Sequence, residues 1–498
     1  MKRILYICLA LLVLAGCKET DFPVPTSLYV GDNTTFNVSA NGETREIEVM
    51  TSANLTLTTA DADWAVISYD AAKRILTINA ERNDSPSDRN TTATLTAVDR
   101  ALTLTIAQSG QPALNMQVAG ATSNVTAWYS ASYDLSKSYD GATSTYTYTA
   151  NAPASGIYEL TYQLAADKRV SLAGVNLVPQ SSAGSGTFGL VTIEVSTADT
   201  PTNFRTLVTD YDCKQVGTPT FIAFEESIAG AQFVRISVPA ASTKGGNNFR
   251  LAEIEFKGIA STGSSEKFFI PLATSASFAQ EGGSASIGIV TNSASISAQV
   301  ADDWCTATID GSFVKLTAGA NADHMRRTTV TITGSDGGSA TVSVGQFGSA
   351  DQKLTASNAT ASSQESTDNE GSNGGPVAFA IDGNTATYWH SAWATSAPAP
   401  HWANFHLDNA ASLDFLRYYP RQPSGGNGNF GEIEVWIKTT SDADYVHAMD
   451  YNCGMKATMS EIVLPKSYTN VEQVKIVVNT GTGGFASCSE LEFYGTKK

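Results

Sequence analysis

The chain opens on Lys2 and Arg3, then runs without a polar break from Ile4 to Leu14. That run has the length of a signal-peptide core and is too short to cross a bilayer. Beyond it the pattern changes to alternation. Leu76-Thr77-Ile78, Thr92-Ala93-Thr94-Leu95-Thr96 and Leu102-Thr103-Leu104-Thr105-Ile106 switch between polar and apolar side chains at each step. This is the period of a strand with one face on a core and the other in water. Phe313-Val314-Lys315-Leu316, Thr331-Ile332-Thr333 and Val342-Ser343-Val344 repeat the theme. After residue 17 no long segment carries the 3.6-residue apolar period of a helix. The alternation therefore predicts an all-β protein of many short strands.

The chain also says nearly everything twice. Asp63-Trp64 returns as Asp303-Trp304, Asp140-Gly141 as Asp382-Gly383, and Asp210-Tyr211-Asp212-Cys213 as Asp450-Tyr451-Asn452-Cys453. Leu251-Ala252-Glu253-Ile254-Glu255-Phe256 returns as Cys488-Ser489-Glu490-Leu491-Glu492-Phe493. The offset is about 240 residues, far above the roughly 20–50 of a solenoid unit. It is long enough for two domains, so the chain reads as an A-B-A-B array of four small β modules. The expected divisions are 1–16 (signal peptide), 17–26 (anchor and linker), 27–110, 111–258, a Gly/Ser linker at 259–266, 267–348 and 349–498.

Composition narrows the function classes. The formal charge is −17, and the cations that exist form no patch suited to phosphates, so nucleic acid is excluded as an expected partner. Of six cysteines, Cys8 falls in the signal, and Cys213, Cys305, Cys453 and Cys488 are too few for a disulfide framework. Cys213 and Cys453 hold matching repeat positions, which points to a shared packing role; a Cys453–Cys488 bridge stays open. No CxxC or HExxH motif suggests zinc.

Leu14-Ala15-Gly16-Cys17 resembles a bacterial lipobox, which implies lipidation of Cys17 and a membrane anchor. Lys18-Glu19-Thr20-Asp21 resembles the export signal of surface lipoproteins in Bacteroidota. The expected location is the outer membrane, with its outer face preferred and the periplasmic face left open. In both A units an Asp-Trp pair, a strand, an Arg before a Thr-rich strand and a closing Gln108 or Gln346 resemble the BACON domain. Roughly 80 residues at this strand density suit an immunoglobulin-like sandwich, and the resemblance implies carbohydrate association or a spacer; the spacer is favoured, with Trp64 and Trp304 as core residues.

The strongest chemistry lies in the last unit. Asp382-Gly383-Asn384-Thr385-Ala386-Thr387-Tyr388-Trp389-His390-Ser391, then Pro420-Arg421, then Ser489-Glu490-Leu491-Glu492-Phe493-Tyr494-Gly495 resemble the F5/8 type C (discoidin) domain, also called the family 32 carbohydrate-binding module, which implies a β-sandwich of jelly-roll type and so four β-sandwich domains in all. Asp382, Asn384, Thr387 and Glu490 offer hard oxygens to a cation loop, the donor type that calcium prefers; the resemblance implies a structural Ca²⁺. It also implies a galactose-type site at His390, Trp393, Arg421, Asn427 and Phe485. Two aromatics would pack the C–H face of the ring while His390 and Arg421 read hydroxyls. Asn429 is the weaker of the two asparagines, and Trp389, His401, Trp402 and His406 are assigned to the core.

Residues 112–258 resemble the same family with losses. Ala142 replaces Asn384, Thr147 replaces Trp389, and Gln180 stands where Arg421 is expected. Tyr133, Tyr139, Tyr146 and Tyr148 could pack as strand neighbours or form an aromatic surface.

Three functions compete. A non-catalytic, lipid-anchored protein that binds galactose-configured glycans is favoured, because the loops are rich in Gly, Ser and Asn. An adhesin binding a protein or lipid partner is the alternative. A glycosidase needs paired carboxylates across a cleft, and four β units leave no room for a catalytic domain.

Overall fold

The computed structural model describes residues 27–31, 33–180, 184–395, 397–421 and 426–498. The signal segment, the anchor and Cys17 lie outside the described residues. What is described is all β-sandwich: strands stacked in paired sheets, joined by turns and short helical segments.

The chain divides into two compact units. The first comprises the described residues up to Val38, with Gly42–Glu81 and Asn90–Ala107. Its sheets run Thr35–Val38, Arg100–Gln108, Arg89–Ala97, Thr56–Thr59 and Glu43–Glu48, Ile75–Ala80, Ala65–Asp70. The alternation read from sequence is what builds it. Leu76, Ile78, Leu95, Leu104 and Ile106 are fully enclosed, and the threonines between them face outward or sideways. Each such side chain contributes about 1.5–3 kcal/mol by leaving water. Trp64 packs against this core.

The second unit holds three sandwiches in succession. In the first of them, one sheet runs Ala113–Met116, Glu253–Ala260, Val170–Val178, Thr220–Ala229. The other runs Val118–Ser123, Ile157–Leu164, Ala231–Pro239, Leu190–Thr197, Arg205–Asp212. The last sandwich repeats this strand for strand. One sheet is Gln352–Lys353, Glu490–Gly495, Ser412–Tyr419, Ser460–Thr469. The other is Ala356–Ala361, His401–Leu407, Val471–Val478, Glu432–Thr439, Val446–Asn452. Cys213 and Cys453 are free, buried and packed into the respective cores, as are the free thiols of Cys305 and Cys488 in theirs.

Between these two lies a four-on-four sandwich in which Ser275–Phe278 pairs parallel to Ser339–Gln346. Arg326 stacks over Trp304 at 4.6 Å, and Trp304 packs on the core. The linker expected at 259–266 starts later than the composition suggested. Ile259 and Ala260 end the strand Glu253–Ala260, paired with Ala113 and Val170, and both are buried. Small polar neighbours hide an apolar pair that the sheet needs. Phe268 and Val290 of the middle sandwich join the core of the preceding one.

The joint to the last sandwich is built on aromatic packing and a partly shielded ion pair. Phe347 meets Phe415 at 4.3 Å, and Phe415 stacks on Tyr494 at 4.7 Å. Arg327 Nη1 lies 3.1 Å from Asp414 Oδ1, while its Nε donates to the Leu464 carbonyl at 2.9 Å. Removing one partner from a buried pair strands the other charge. Arg327→Met is therefore expected to lower the unfolding free energy by about 3 kcal/mol, with most of it restored in Arg327→Met/Asp414→Leu. A urea-denaturation cycle on the two variants checks this, and a loss that adds without recovery would contradict it.

Candidate functional site

The site is assembled by a small sheet at one end of the last sandwich. Tyr388–His390 pairs antiparallel with Ser487–Cys488, Trp389 opposite Cys488 and His390 opposite Ser487, and parallel with Gly374–Gly375. Gly374 is required there. A Cβ at this position would sit 2.4 Å from the Tyr388 ring and 2.6 Å from its hydroxyl. Ser391 reinforces the seam: its N–H donates to the Ala486 carbonyl at 2.8 Å, and its Oγ accepts the Ala486 N–H at 3.0 Å. Three segments far apart in sequence thus reach one rim.

Glu370, at the end of the helix Thr367–Glu370, is the hub of that rim. The Tyr388 hydroxyl donates to its Oε2 at 2.7 Å, and the Trp393 indole N–H to its Oε1 at 2.7 Å. Arg421 Nη2 lies 3.5 Å from Oε2, and His390 Nδ1 3.6 Å from Oε1. The Arg421 guanidinium also stacks over the Tyr388 ring at 4.1 Å. Burial, then donation to Glu370, pushes the Tyr388 hydroxyl up to about 12, so it stays a donor.

His390 is buried, and burial holds its imidazole below the usual histidine value. Its Nδ1 lies 2.7 Å from the Ser391 carbonyl, which can only accept. Nδ1 therefore carries the proton, and the neutral ring leaves Nε2 as an acceptor. Phe485 packs on His390 at 5.5 Å. Asn427 belongs to the same rim: a Cβ on Gly483 would lie 3.1 Å from Asn427 Oδ1 and 3.3 Å from the Phe485 ring. Trp393 is 42% exposed, a large apolar face held in place by its own N–H bond.

All five residues expected to bind sugar therefore converge. Asn429 does not join them; it is buried and donates to the Lys456 carbonyl at 3.1 Å. Trp389 and His401 are buried, as expected of core residues, whereas Trp402 and His406 are only half-buried, Trp402 beneath Lys475 and His406 beside Asp408 at 3.8 Å. The sequence reading missed Glu370, Tyr388 and Glu365. Glu365 accepts from the Ser366, Trp393 and Ala394 N–H groups and from the Asn369 amide, at 2.7–3.0 Å. These bonds, led by that of Ala394, lower its carboxyl to about 2. It fixes the Trp393 loop as a permanent anion. The run Ser366-Thr367-Asp368-Asn369-Glu370-Gly371 signals a short capped helix in sequence, and nothing in it shows what Glu370 would face.

The expected cation loop closes as a separate cluster. Asp382 accepts from the Asn384 N–H at 2.9 Å and the Thr387 hydroxyl at 2.6 Å, while the Gly383 N–H donates to Glu490 Oε2 at 3.1 Å. Glu490 is buried, and burial together with the Asp382 charge raises its carboxyl. Two carboxylates, one amide and one hydroxyl suit calcium by donor type. Lys353 Nζ, 3.4 Å from Glu490 Oε1, already supplies part of the compensating charge. Among the described residues no group of three or more His, Cys, Asp or Glu is placed to hold a metal.

The first copy keeps the skeleton of this loop. The Thr145 hydroxyl donates to Asp140, and the Gly141 N–H to Glu253 at 3.1 Å. Asn115 stands where Lys353 does, across from the strand Glu253–Ala260. Burial and then the Asp140 charge push Glu253 up from 4.5 to about 8. Below pH 4.5 it is protonated in both folded and unfolded chains. As pH rises the unfolded chain releases its proton first, so this group removes stability progressively up to about pH 8. Glu253→Gln is expected to raise the melting temperature at pH 8 and leave it nearly unchanged at pH 4. Calorimetric scans across that range test it, and parallel curves for the two proteins would refute it.

Residues 358–491 match the F5/8 type C domain. Among curated proteins, an A type blood N-acetyl-alpha-D-galactosamine deacetylase of Flavonifractor plautii is 27% identical over 126 residues. Those residues are 25% of this chain, which spans 16% of that relative's length. Among solved structures, a Clostridium perfringens family 32 module in complex with GalNAc-β-1,3-galactose is 25% identical, covering 28% of this chain and 99% of its own, with a TM-score of 0.26. The family 32 module of C. perfringens NanJ in complex with galactose is also 25% identical, covering 29% and 99%, with a TM-score of 0.26. The C-terminal domain of a Bacteroides fragilis chitobiase is 24% identical, covering 30% and 99%, with a TM-score of 0.27. By the match over 358–491, the last sandwich of this chain carries an F5/8 type C domain.

Proposed function

We propose that the chain is a glycan-binding protein whose last domain takes a galactose-configured sugar, without catalysis. One observation carries this reading: Glu370 gathers His390, Trp393 and Arg421 onto one rim, with Trp393 presenting an exposed aromatic face. A galactose ring offers an apolar C–H face to Trp393 and Phe485. Its axial hydroxyl would meet a bare acceptor at His390 Nε2 and the forked donor of Arg421. Each hydroxyl bonded in this way discriminates by about 1–3 kcal/mol against an epimer that leaves its partners unpaired. The two acids at the rim are suited to holding rather than to proton transfer. Glu365 is too acidic to carry a proton, and Glu370 is engaged by its neighbours. Lipid attachment at Cys17 and outer-membrane placement complete the proposal, with the sandwiches at 27–110 and 267–348 as spacers.

Galactose and N-acetylgalactosamine are the first sugars to test. Calorimetric titration is expected to give saturable binding, reduced at least tenfold in Arg421→Ala and in Trp393→Ala. Glu370→Gln should reduce it about as much, because the charge that holds Arg421 is gone. Absence of heat with both sugars would overturn the reading.

In the same domain Asp382, Asn384, Thr387 and Glu490 would hold Ca²⁺, which would neutralise two facing carboxylates and tie the loop to the last strand. Millimolar calcium is expected to raise the melting temperature, and Asp382→Asn to abolish the rise. Identical melting with calcium and with chelator would remove the ion from the proposal.

A further inference from the structure

Gly483 and Gly484 form the tip of a turn at the sugar rim. Their φ angles are 70° and 80°, in the left-handed region that glycine enters without penalty. The Gly484 N–H closes the turn on the Gly481 carbonyl at 2.9 Å. Two of the residues expected to bind sugar depend on this tip. Phe485 follows it and packs on His390 at 5.5 Å, while Gly483 abuts Asn427. A tip without side chains has much freedom to lose when a ligand orders it.

Among the described residues, one hydrogen bond ties Gly483, Gly484 and Phe485 to a distant part of the chain. His401 Nε2 lies 3.1 Å from the Gly484 carbonyl, which can only accept, so Nε2 donates. His401 opens the strand His401–Leu407, pairs with Val478 and is 1% exposed. The other ring nitrogen, Nδ1, is enclosed and has no partner among the described residues. A hydrocarbon side chain of similar size would fill the same space without burying an unpaired polar atom. For packing alone the imidazole is therefore a poor choice. What it offers beyond packing is the Nε2 donor.

We propose that His401 is a positioning residue of the sugar rim: its Nε2–H holds the Gly484 carbonyl and so presents Phe485 and Asn427 to the ligand. His401 itself touches no ligand. It acts through the turn, as Glu365 acts through the Trp393 loop on the other side of the rim. The inference rests on the glycan reading for its affinity readout, and not for its loop readout. It also separates stability from binding. An apolar replacement at 401 relieves the unpaired nitrogen and keeps or raises stability, while the rim loosens.

The test compares the full chain with His401→Leu, which removes both nitrogens, and with His401→Gln, whose amide can donate from the Nε2 position. Hydrogen–deuterium exchange over residues 481–487 needs no sugar. In His401→Leu it is expected to quicken about tenfold, with a melting temperature equal to or above that of the unaltered chain. Galactose affinity, by calorimetric titration, should fall about fivefold in the same variant. His401→Gln should bring exchange and affinity back towards the unaltered values. Unchanged exchange in His401→Leu would overturn the proposal, and so would galactose affinity equal to that of the unaltered chain. A loss that comes with a lowered melting temperature and is not recovered in His401→Gln would overturn it too, because that is damage to the core. If the unaltered chain binds no galactose, the glycan reading fails, and the exchange data still decide the role of His401.

Discussion

The last domain depends on the antiparallel pairing of Tyr388–His390 with Ser487–Cys488. It joins the middle of the domain to its end, a closure of about 100 residues whose entropic cost grows only slowly with length. Everything chemical hangs from this seam. On one side the Gly383 N–H reaches Glu490, two residues past Cys488; on the other His390 and Phe485 pack together. The seam also buries Trp389 and Cys488, so the domain core and the rim of His390 and Phe485 are stabilised by the same contacts. The first copy keeps the seam while changing nearly every side chain that projects from it. The same scaffold thus displays two different sets of side chains.

Electrostatics decides what the seam can display. A buried carboxylate is tolerated only with donors around it, and the rim answers with Tyr388, Trp393 and Arg421 on Glu370, and with backbone N–H groups on Glu365. Those bonds aim the side chains before any ligand arrives, which reduces the ordering that binding would otherwise require. Glu253 shows the opposite case. Burial raises its proton affinity, and the charges of Asp140 and Glu255 add to this where Asn115 stands in place of the lysine.

Much of the fold was legible in the chain. Alternation over Leu102–Ile106 and Val342–Val344 gave strands with the inward faces observed, because a side-chain period of two admits only one set of residues to the core. The repeat at matching cysteines led to two sandwiches of identical strand order. Ile259 and Ala260 were hidden by small polar neighbours, and their burial comes from strands at Ala113 and Val170 that no local window contains.

The site divides along the same line. The sequence by itself determined candidates for a sugar and a cation site, through motifs that resemble a known domain. The tertiary structure decided which of them are aimed and by what. Glu370, Glu365 and Tyr388 became visible only when strands up to about 100 residues apart were paired. In the first copy it turned Arg250, Gln180 and a scatter of tyrosines into one ordered rim. Hydrogen bonds and ring stacking act over a few ångströms of space, and separation along the chain carries no record of that distance.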